Sequence, residues 1–303
     1  RRGRDPHPGL SAVRIGAVDP QTELGGDPDG ARAIGTAVEA LGFDHLVDYD
    51  HVLGASHDRE PPLPPRYSDA DPFHDPFVLF AHLAALTERI ELVTGVLVLP
   101  QRQTGLVARQ STDVDLLSGG RLRLGVGTGW NWVEYEALGQ DFAVRGRRLD
   151  EQIELLRRLW SDDLVDFDGA YDRVDRANIL PRPCRSVPIW VGGMSAPAFR
   201  RGARLGDGFI HAGPLDACLA AKEAVAAELA TAGRDPSGFG NELLTRGTAT
   251  ADDVVGAVER WREAGGTHVG VVSMGLGLDS TEAHLDFYAG VADRLGLDPG
   301  VTP

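Results

Sequence analysis

Residues 90–129 read IELVTGVLVL PQRQTGLVAR QSTDVDLLSG GRLRLGVGTG. The run Ile90–Val98 is β-branched and apolar and reads as a buried strand. Thr104–Ser118 has helical spacing, and Leu122–Val126 reads as a second strand ending in Gly127-Thr128-Gly129. This is a β-α-β unit whose second strand opens into a glycine-rich mouth. Glycines at a strand end let backbone N–H groups approach a ring or a phosphate without a side chain in the way.

The same alternation continues on both sides. Upstream lie a strand Val13–Val18, a helix Asp29–Leu41 and a strand His45–Asp50. Pro76–Leu86 then reads as a helix. Downstream, Arg147–Trp160 is the clearest helix, with Leu149, Ile153, Leu156 and Trp160 on one face. Further pairs follow through Pro188–Val191, Gly208–His211, Leu243–Ala249 and Thr267–Ser273, and the last helix is Thr281–Leu295. Eight βα units without a composition break predict one (β/α)8 TIM barrel over residues 13–303, preceded by a tail over 1–12. An open doubly wound sheet is the competing architecture. Two stretches exceed the bare barrel: His51–Asp75 after the second strand, rich in Pro, Asp and His, and Ser161–Pro183 after the fourth, which has a hairpin pattern.

Composition narrows the function. The chain has 303 residues, a net charge of −15 and 42% hydrophobic residues. An acidic surface argues against nucleic acid and anionic membranes as partners. No apolar run nears the roughly 20 residues needed to span a bilayer, and Arg1–Pro6 lacks the apolar core of a signal peptide. The two cysteines, Cys184 and Cys218, have no metal-ligand spacing, and a reduced, cytoplasmic location is expected. The nine histidines form no H-x-H or H-E-x-x-H pattern, so no metal site is expected. There is no G-x-S-x-G nucleophile elbow.

Four places can carry chemistry, each with an ordinary alternative. Asp50-His51 ends a strand, where a histidine can donate to a ring atom or move a proton, or merely cap a polar loop. Thr94-Gly95-Val96 puts a glycine inside a strand, marking a bulge, a close backbone approach or simple packing. Gly127-Thr128-Gly129 is a strand-end glycine loop, not a dinucleotide fingerprint, because the spacing is G-x-G-x-G. Gly192-Gly193-Met194-Ser195 leads from a strand into a helix, with free N–H groups that suit a phosphate or with only a capped turn. Trp130, Trp132 and Tyr135 form either an aromatic wall for a planar or apolar substrate or ordinary loop packing.

Together these stretches resemble the bacterial luciferase-like monooxygenase superfamily, and most closely its branch using the deazaflavin coenzyme F-420. The resemblance runs from about Arg14 to Ile210 and is most specific at DLLSGGRLRLGVGTGW. It implies a (β/α)8 barrel that holds a flavin-like ring in its mouth, with hydride transfer at ring carbon five. It places Asp50 and His51 at the ring edge and a cis peptide between Gly95 and Val96 against one ring face. Thr94, Gly127, Thr128 and Gly129 would line the cofactor, Gly192 to Ser195 would meet its phosphate, and His51 would be catalytic. FMN is the alternative cofactor, as a monooxygenase with a flavin reductase partner or as a non-catalytic flavin-binding protein. A homodimer is implied as well. Sugar-phosphate dehydrogenases of this branch carry a glutamate acid where this chain has Trp130, with Glu134 and Glu136 out of register. The expectation is therefore reduction of a small organic substrate.

Overall fold

The computed structural model of the chain describes residues 13–299; the tail expected over 1–12 lies outside them. Eight parallel strands form one closed barrel: β1 Arg14–Val18, β2 His45–Asp48, β3 Glu91–Thr94, β4 Leu122–Gly127, β5 Ile189–Gly192, β6 Gly208–Gly213, β7 Gly240–Thr245 and β8 His268–Val272. β1 pairs with β2 and with β8, and the ring closes where Leu92 and Val93 of β3 pair with Leu122 and Arg123 of β4. The fold is the (β/α)8 barrel of the alternating pattern. An open sheet would leave two edges unpaired.

The helices wrap outside, in chain order: α1 Pro28–Ala40, α2 Pro76–Ala84, α3 Thr104–Leu117, α4 Trp132–Ala137, α5 Arg145–Ser161, α6 Ala196–Leu205, α7 Leu215–Thr231, α8 Ala251–Glu263 and α9 Thr281–Leu295. Their ends carry ordinary stop and start chemistry. The Asp75 carboxylate accepts from Phe77 and Val78 N–H at the start of α2, Thr250 and Asp253 form a capping box on α8, and Gly296 closes α9 at φ 62°. On α5 the four residues read as one face, Leu149, Ile153, Leu156 and Trp160, are all buried. Burying side chains of this size contributes roughly 1.5–3 kcal/mol each before chain entropy is subtracted.

Most departures from the regular barrel bear on the mouth. The single strand expected over Ile90–Val98 is broken. After Thr94 the Gly95–Val96 peptide is cis, and Leu97–Val98 then resumes pairing with β4. Residues 49–75 form no regular element and fold back over the strand ends. The hairpin Val165–Asp168 with Arg173–Ala177 follows α5 and precedes β5. Its tip is tied to α5, because the Glu151 carboxylate accepts from Ala170, Tyr171 and Asp172 N–H. Finally, α4 is a short helix that no apolar periodicity announced. It starts because the Asn131 side chain accepts from Val133 N–H.

Candidate active site

A cavity of about 330 Å³ opens at the carboxyl ends of the strands, the face where barrels of this kind place their sites. Its wall is made by the ends of six strands. Asp50, His51, Gly95, Val96, the Gly127–Trp130 loop and the Gly192–Ser195 turn all border it, although they come from four different βα connections. β2 ends at Asp48, so Tyr49, Asp50 and His51 escape the alternation of a strand and all three reach the same space.

His51 is the best-placed group for proton chemistry. Its Nδ1 lies 3.0 Å from a carboxylate oxygen of Glu134. The other Glu134 oxygen accepts from Val52 N–H at 2.7 Å and Leu53 N–H at 3.1 Å. Glu134 is buried, so one carboxylate fixes both the loop and the imidazole. With Nδ1–H donating to Glu134, Nε2 is the ring nitrogen left for the cavity. Three aromatic rings stand edge-on around the imidazole: Phe73 at 4.8 Å, Tyr67 at 5.2 Å and Trp130 at 5.5 Å between centroids.

Asp50 is committed differently. One carboxylate oxygen accepts from Val98 N–H at 2.8 Å, and the Arg102 guanidinium bridges Asp50 at 2.6 Å and Asp75 at 2.9 Å. The Asp50 charge is thereby neutralised inside the wall. This pins the segment after the cis peptide to the end of β2.

The floor is set by Val96. A Cβ on Gly127 would lie 2.5 Å from Val96 Cγ2, and one on Gly192 would lie 2.6 Å from Val96 Cγ1. Both positions must therefore be glycine for Val96 to sit between them. Gly129 at φ 60° and Gly193 at φ 144° turn their loops through backbone space that favours glycine. α6 begins beside Gly193. Ser195 is its N-cap residue, without a side-chain cap bond, and Pro197 stands in the first turn. First-turn N–H groups have no partner within a helix, so they point outward.

Three residues expected at the site are elsewhere. Thr94 is fully buried and its hydroxyl donates to Gly125 O at 2.7 Å, between β3 and β4. Tyr135 is buried under the mouth, where its hydroxyl donates to Thr128 O at 2.8 Å. Trp132 lies outside the cavity wall, with the Arg59 guanidinium 5.4 Å from its ring centre. The cause is α4: helical turning carries Trp132 and Tyr135 away from the cavity and leaves Trp130, ahead of the helix, facing it. The aromatic wall exists, but Tyr49 and Tyr67 supply it together with Trp130. Among the described residues no group of three or more His, Cys, Asp or Glu could hold a metal, and no helix is long and apolar enough to cross a membrane.

A family model described as luciferase-like monooxygenase matches residues 11–268. The chain belongs to the luciferase-like monooxygenase family. An uncharacterized protein of Mycobacterium tuberculosis (strain ATCC 25618 / H37Rv) is 39% identical over 183 residues, 58% of this chain and 63% of that protein. A protein of Intrasporangium calvum named F420-dependent glucose-6-phosphate dehydrogenase is 32% identical over 231 residues, 73% of this chain and 61% of its own length. The match thus spans about three-fifths of these curated relatives. The solved structure of an F420-dependent secondary alcohol dehydrogenase with an F420-acetone adduct superposes with a TM-score of 0.75 at 17% identity, covering 97% of this chain and 100% of that one. That likeness shows the fold.

The luciferase-like cavity has room and donors for a flavin-like ring. It falls within the roughly 300–1,000 Å³ of ordinary ligand pockets, and its glycine-cleared floor is apolar. The buried Tyr49 hydroxyl stands at its wall beside the Arg246 guanidinium. Several site residues escaped sequence reading: Glu134, which holds His51; Phe73, which packs on its ring; Arg102, which neutralises Asp50; and Arg66, Tyr67 and Arg246 at the rim. The long loop after β2 was the available signal for Arg66, Tyr67 and Phe73. Nothing local marked Arg246.

Proposed function

We propose that the chain is an oxidoreductase that binds coenzyme F-420 in this cavity and exchanges a hydride with a small planar or apolar substrate, mainly in the reductive direction. The observation that carries the proposal is His51, bordered by the glycine-cleared floor and held at Nδ1 by a buried carboxylate. When bound, the coenzyme supplies a hydride donor or acceptor at ring carbon five. Val96, Gly127 and Gly192 would hold its ring, and the Gly192–Ser195 turn its phosphate.

The chain's own residues do the rest. His51 holds or moves a proton at Nε2 near the reacting substrate atom. Glu134 keeps the imidazole in one tautomer and orientation. Tyr67, Phe73 and Trp130 exclude water from the imidazole and offer flat apolar surface. Trp130 has an N–H that can only donate, so the position that would carry an acid in sugar-phosphate dehydrogenases provides no proton acceptor. We propose also that the protein works as a homodimer, which light scattering at micromolar concentration tests.

The decisive measurement is titration of the protein with F-420 and with FMN, followed by turnover of reduced coenzyme against enones, imines and nitroaromatics. Tighter F-420 binding with turnover is expected, and glucose 6-phosphate is expected not to drive F-420 reduction. Recovery of FMN with the purified protein, and oxygen-dependent turnover when a flavin reductase is added, would replace this reading by the monooxygenase one. Binding of either ring without turnover would leave a flavin-binding protein.

A further inference from the structure

Charge at the cavity wall is unevenly settled. Asp50 is neutralised by Arg102, and His51 is engaged by Glu134. Two guanidinium groups at the same wall have no such partner. Arg246 follows the end of β7 and Arg66 comes from the loop after β2, yet both border the cavity and a second cavity of about 410 Å³ beside it. Among the described residues neither forms an ion pair within 4.0 Å. The acids of the adjoining cavity pair with neither arginine: Glu23 accepts from Gly275 N–H, and Asp71 accepts from Ser68 N–H and hydroxyl.

Tyr67 ties this pair to the reacting end of the site. Arg246 donates to its hydroxyl at 3.4 Å, while its ring packs against His51 at 5.2 Å. Arg246 also lies 5.8 Å from the centre of the Tyr49 ring. A protein of net charge −15 here sets two cations without an ion-pair partner beside a space walled by aromatic rings. The complement is a flat apolar body with one anionic group. Guanidinium groups bind carboxylate and phosphate oxygens through charge-assisted hydrogen bonds.

We propose that Arg66 and Arg246 form an anion subsite for the substrate, which is therefore a planar or apolar molecule bearing a carboxylate or a phosphate ester. This rests on the reading of the cavity as a substrate site. The subsite sits on the His51 and Tyr67 side, separate from the Gly192–Ser195 turn assigned to the coenzyme phosphate. Local charge at the wall thus acts against the repulsion of the acidic surface, which salt screens over about 10 Å.

The test is calorimetric titration of the full chain, with and without saturating F-420, using cinnamate, phenyl phosphate and neutral cinnamamide. An anion is expected to bind at least about tenfold more tightly than cinnamamide, with the preference shrinking as salt is raised. Cinnamate and phenyl phosphate tell a carboxylate from a phosphate ester. Arg66→Gln and Arg246→Gln should each reduce the preference and the double variant should abolish it, with F-420 affinity unchanged within about twofold. Arg66 is an exposed loop residue, so its single variant carries the test should Arg246→Gln fail to fold. Equal binding of all three probes, or a preference that survives in the double variant, overturns the proposal. So does a parallel loss of F-420 affinity, which would assign the arginines to the coenzyme. Failure of F-420 to bind, with the anion preference intact, overturns the coenzyme reading and leaves the subsite standing.

Discussion

The two ends of the barrel interior use the same ingredients for opposite purposes. At the amino end of the strands His45, Glu242 and Arg123 are all buried. His45 Nε2 lies 2.6 Å from one Glu242 oxygen and Arg123 donates to the other at 2.6 Å. Arg123 also meets Glu91 at 3.1 Å and lies 4.1 Å from the centre of the Trp190 ring. Glycines make this possible: a Cβ on Gly16 would lie 2.3 Å from the His45 ring, and one on Gly240 would lie 2.0 Å from Trp190. At the carboxyl end, glycines clear space for Val96 and for a cavity, and His51 keeps one ring nitrogen for whatever enters. Charge at the amino end is closed on itself, whereas the mouth leaves one imidazole nitrogen open. Glycine, histidine and glutamate do not distinguish the two ends by type, only by the end of the strand they occupy.

The sharpest way to break the comparison is to remove one histidine from each end's logic. His51→Ala should slow single-turnover hydride transfer by about 10²–10⁴ while F-420 affinity and the urea midpoint stay near wild type. An unchanged rate would return His51 to a polar loop residue.

At the other end, Glu242→Ala leaves Arg123 and His45 buried without their shared counter-charge. A loss of about 3–5 kcal/mol in unfolding free energy is expected, read by chemical denaturation, with residual coenzyme affinity in whatever fraction folds. A loss below about 1 kcal/mol would mean that the network fills space without holding the barrel.

Glu134→Gln gives a smaller, more specific effect. The amide oxygen can still accept from Val52 and Leu53 N–H, so the loop should keep its place. The amide nitrogen can only donate toward Nδ1, which favours the opposite imidazole tautomer. We expect a rate loss of about tenfold to a hundredfold, with a changed ¹⁵N signature of the His51 ring and little change in coenzyme affinity. A ring spectrum identical to wild type would show that Glu134 holds only the loop.

The barrel was legible because each element buries a face, and burial imposes a period of two or of 3.6 on the sequence. The cavity was partly legible for a related reason: Gly127, Gly129, Gly192 and Gly193 stand where strands end. Thr94 was misplaced because alternation does not say whether an inward strand residue meets a ligand or the next strand, and here it meets Gly125 O. Trp132 and Tyr135 were misplaced because α4 is six residues long, too short to show a helical period. The partnership of Glu134 with His51 spans 83 residues, and that of Arg246 with Tyr67 spans 179. Such pairs exist only once the barrel has closed and the long loop has crossed its mouth.

The smallest effect we expect concerns two acids near the mouth end, and its sign is opposite to that of the amino-end network. Asp19 directly follows β1 and Asp48 ends β2; both are buried, and none of their four carboxylate oxygens has a side-chain hydrogen-bond partner. Burial pushes Asp19 up to about 7 from an ordinary value of 3.8. Asp48 is pushed well above its ordinary 3.8 by burial first, then by Asp19 and Asp50 beside it. Glu242 goes the other way: burial opposes its ionisation, but Arg123 and His45 hold it below its ordinary 4.5. A depressed acid contributes stability above its unfolded value and loses it as pH falls; a raised acid contributes stability below 3.8 and loses it as pH rises toward 7. Asp19→Asn removes one raised group and leaves the amino-end network intact. Its unfolding free energy should therefore fall less steeply than wild type between pH 5 and pH 7, by about 1 kcal/mol per pH unit, while the two proteins should respond alike to acidification below pH 4. Urea midpoints measured across pH 4 to 8 decide it: parallel curves would mean that water or a partner satisfies Asp19, and that the mouth end is as fully compensated as the amino end.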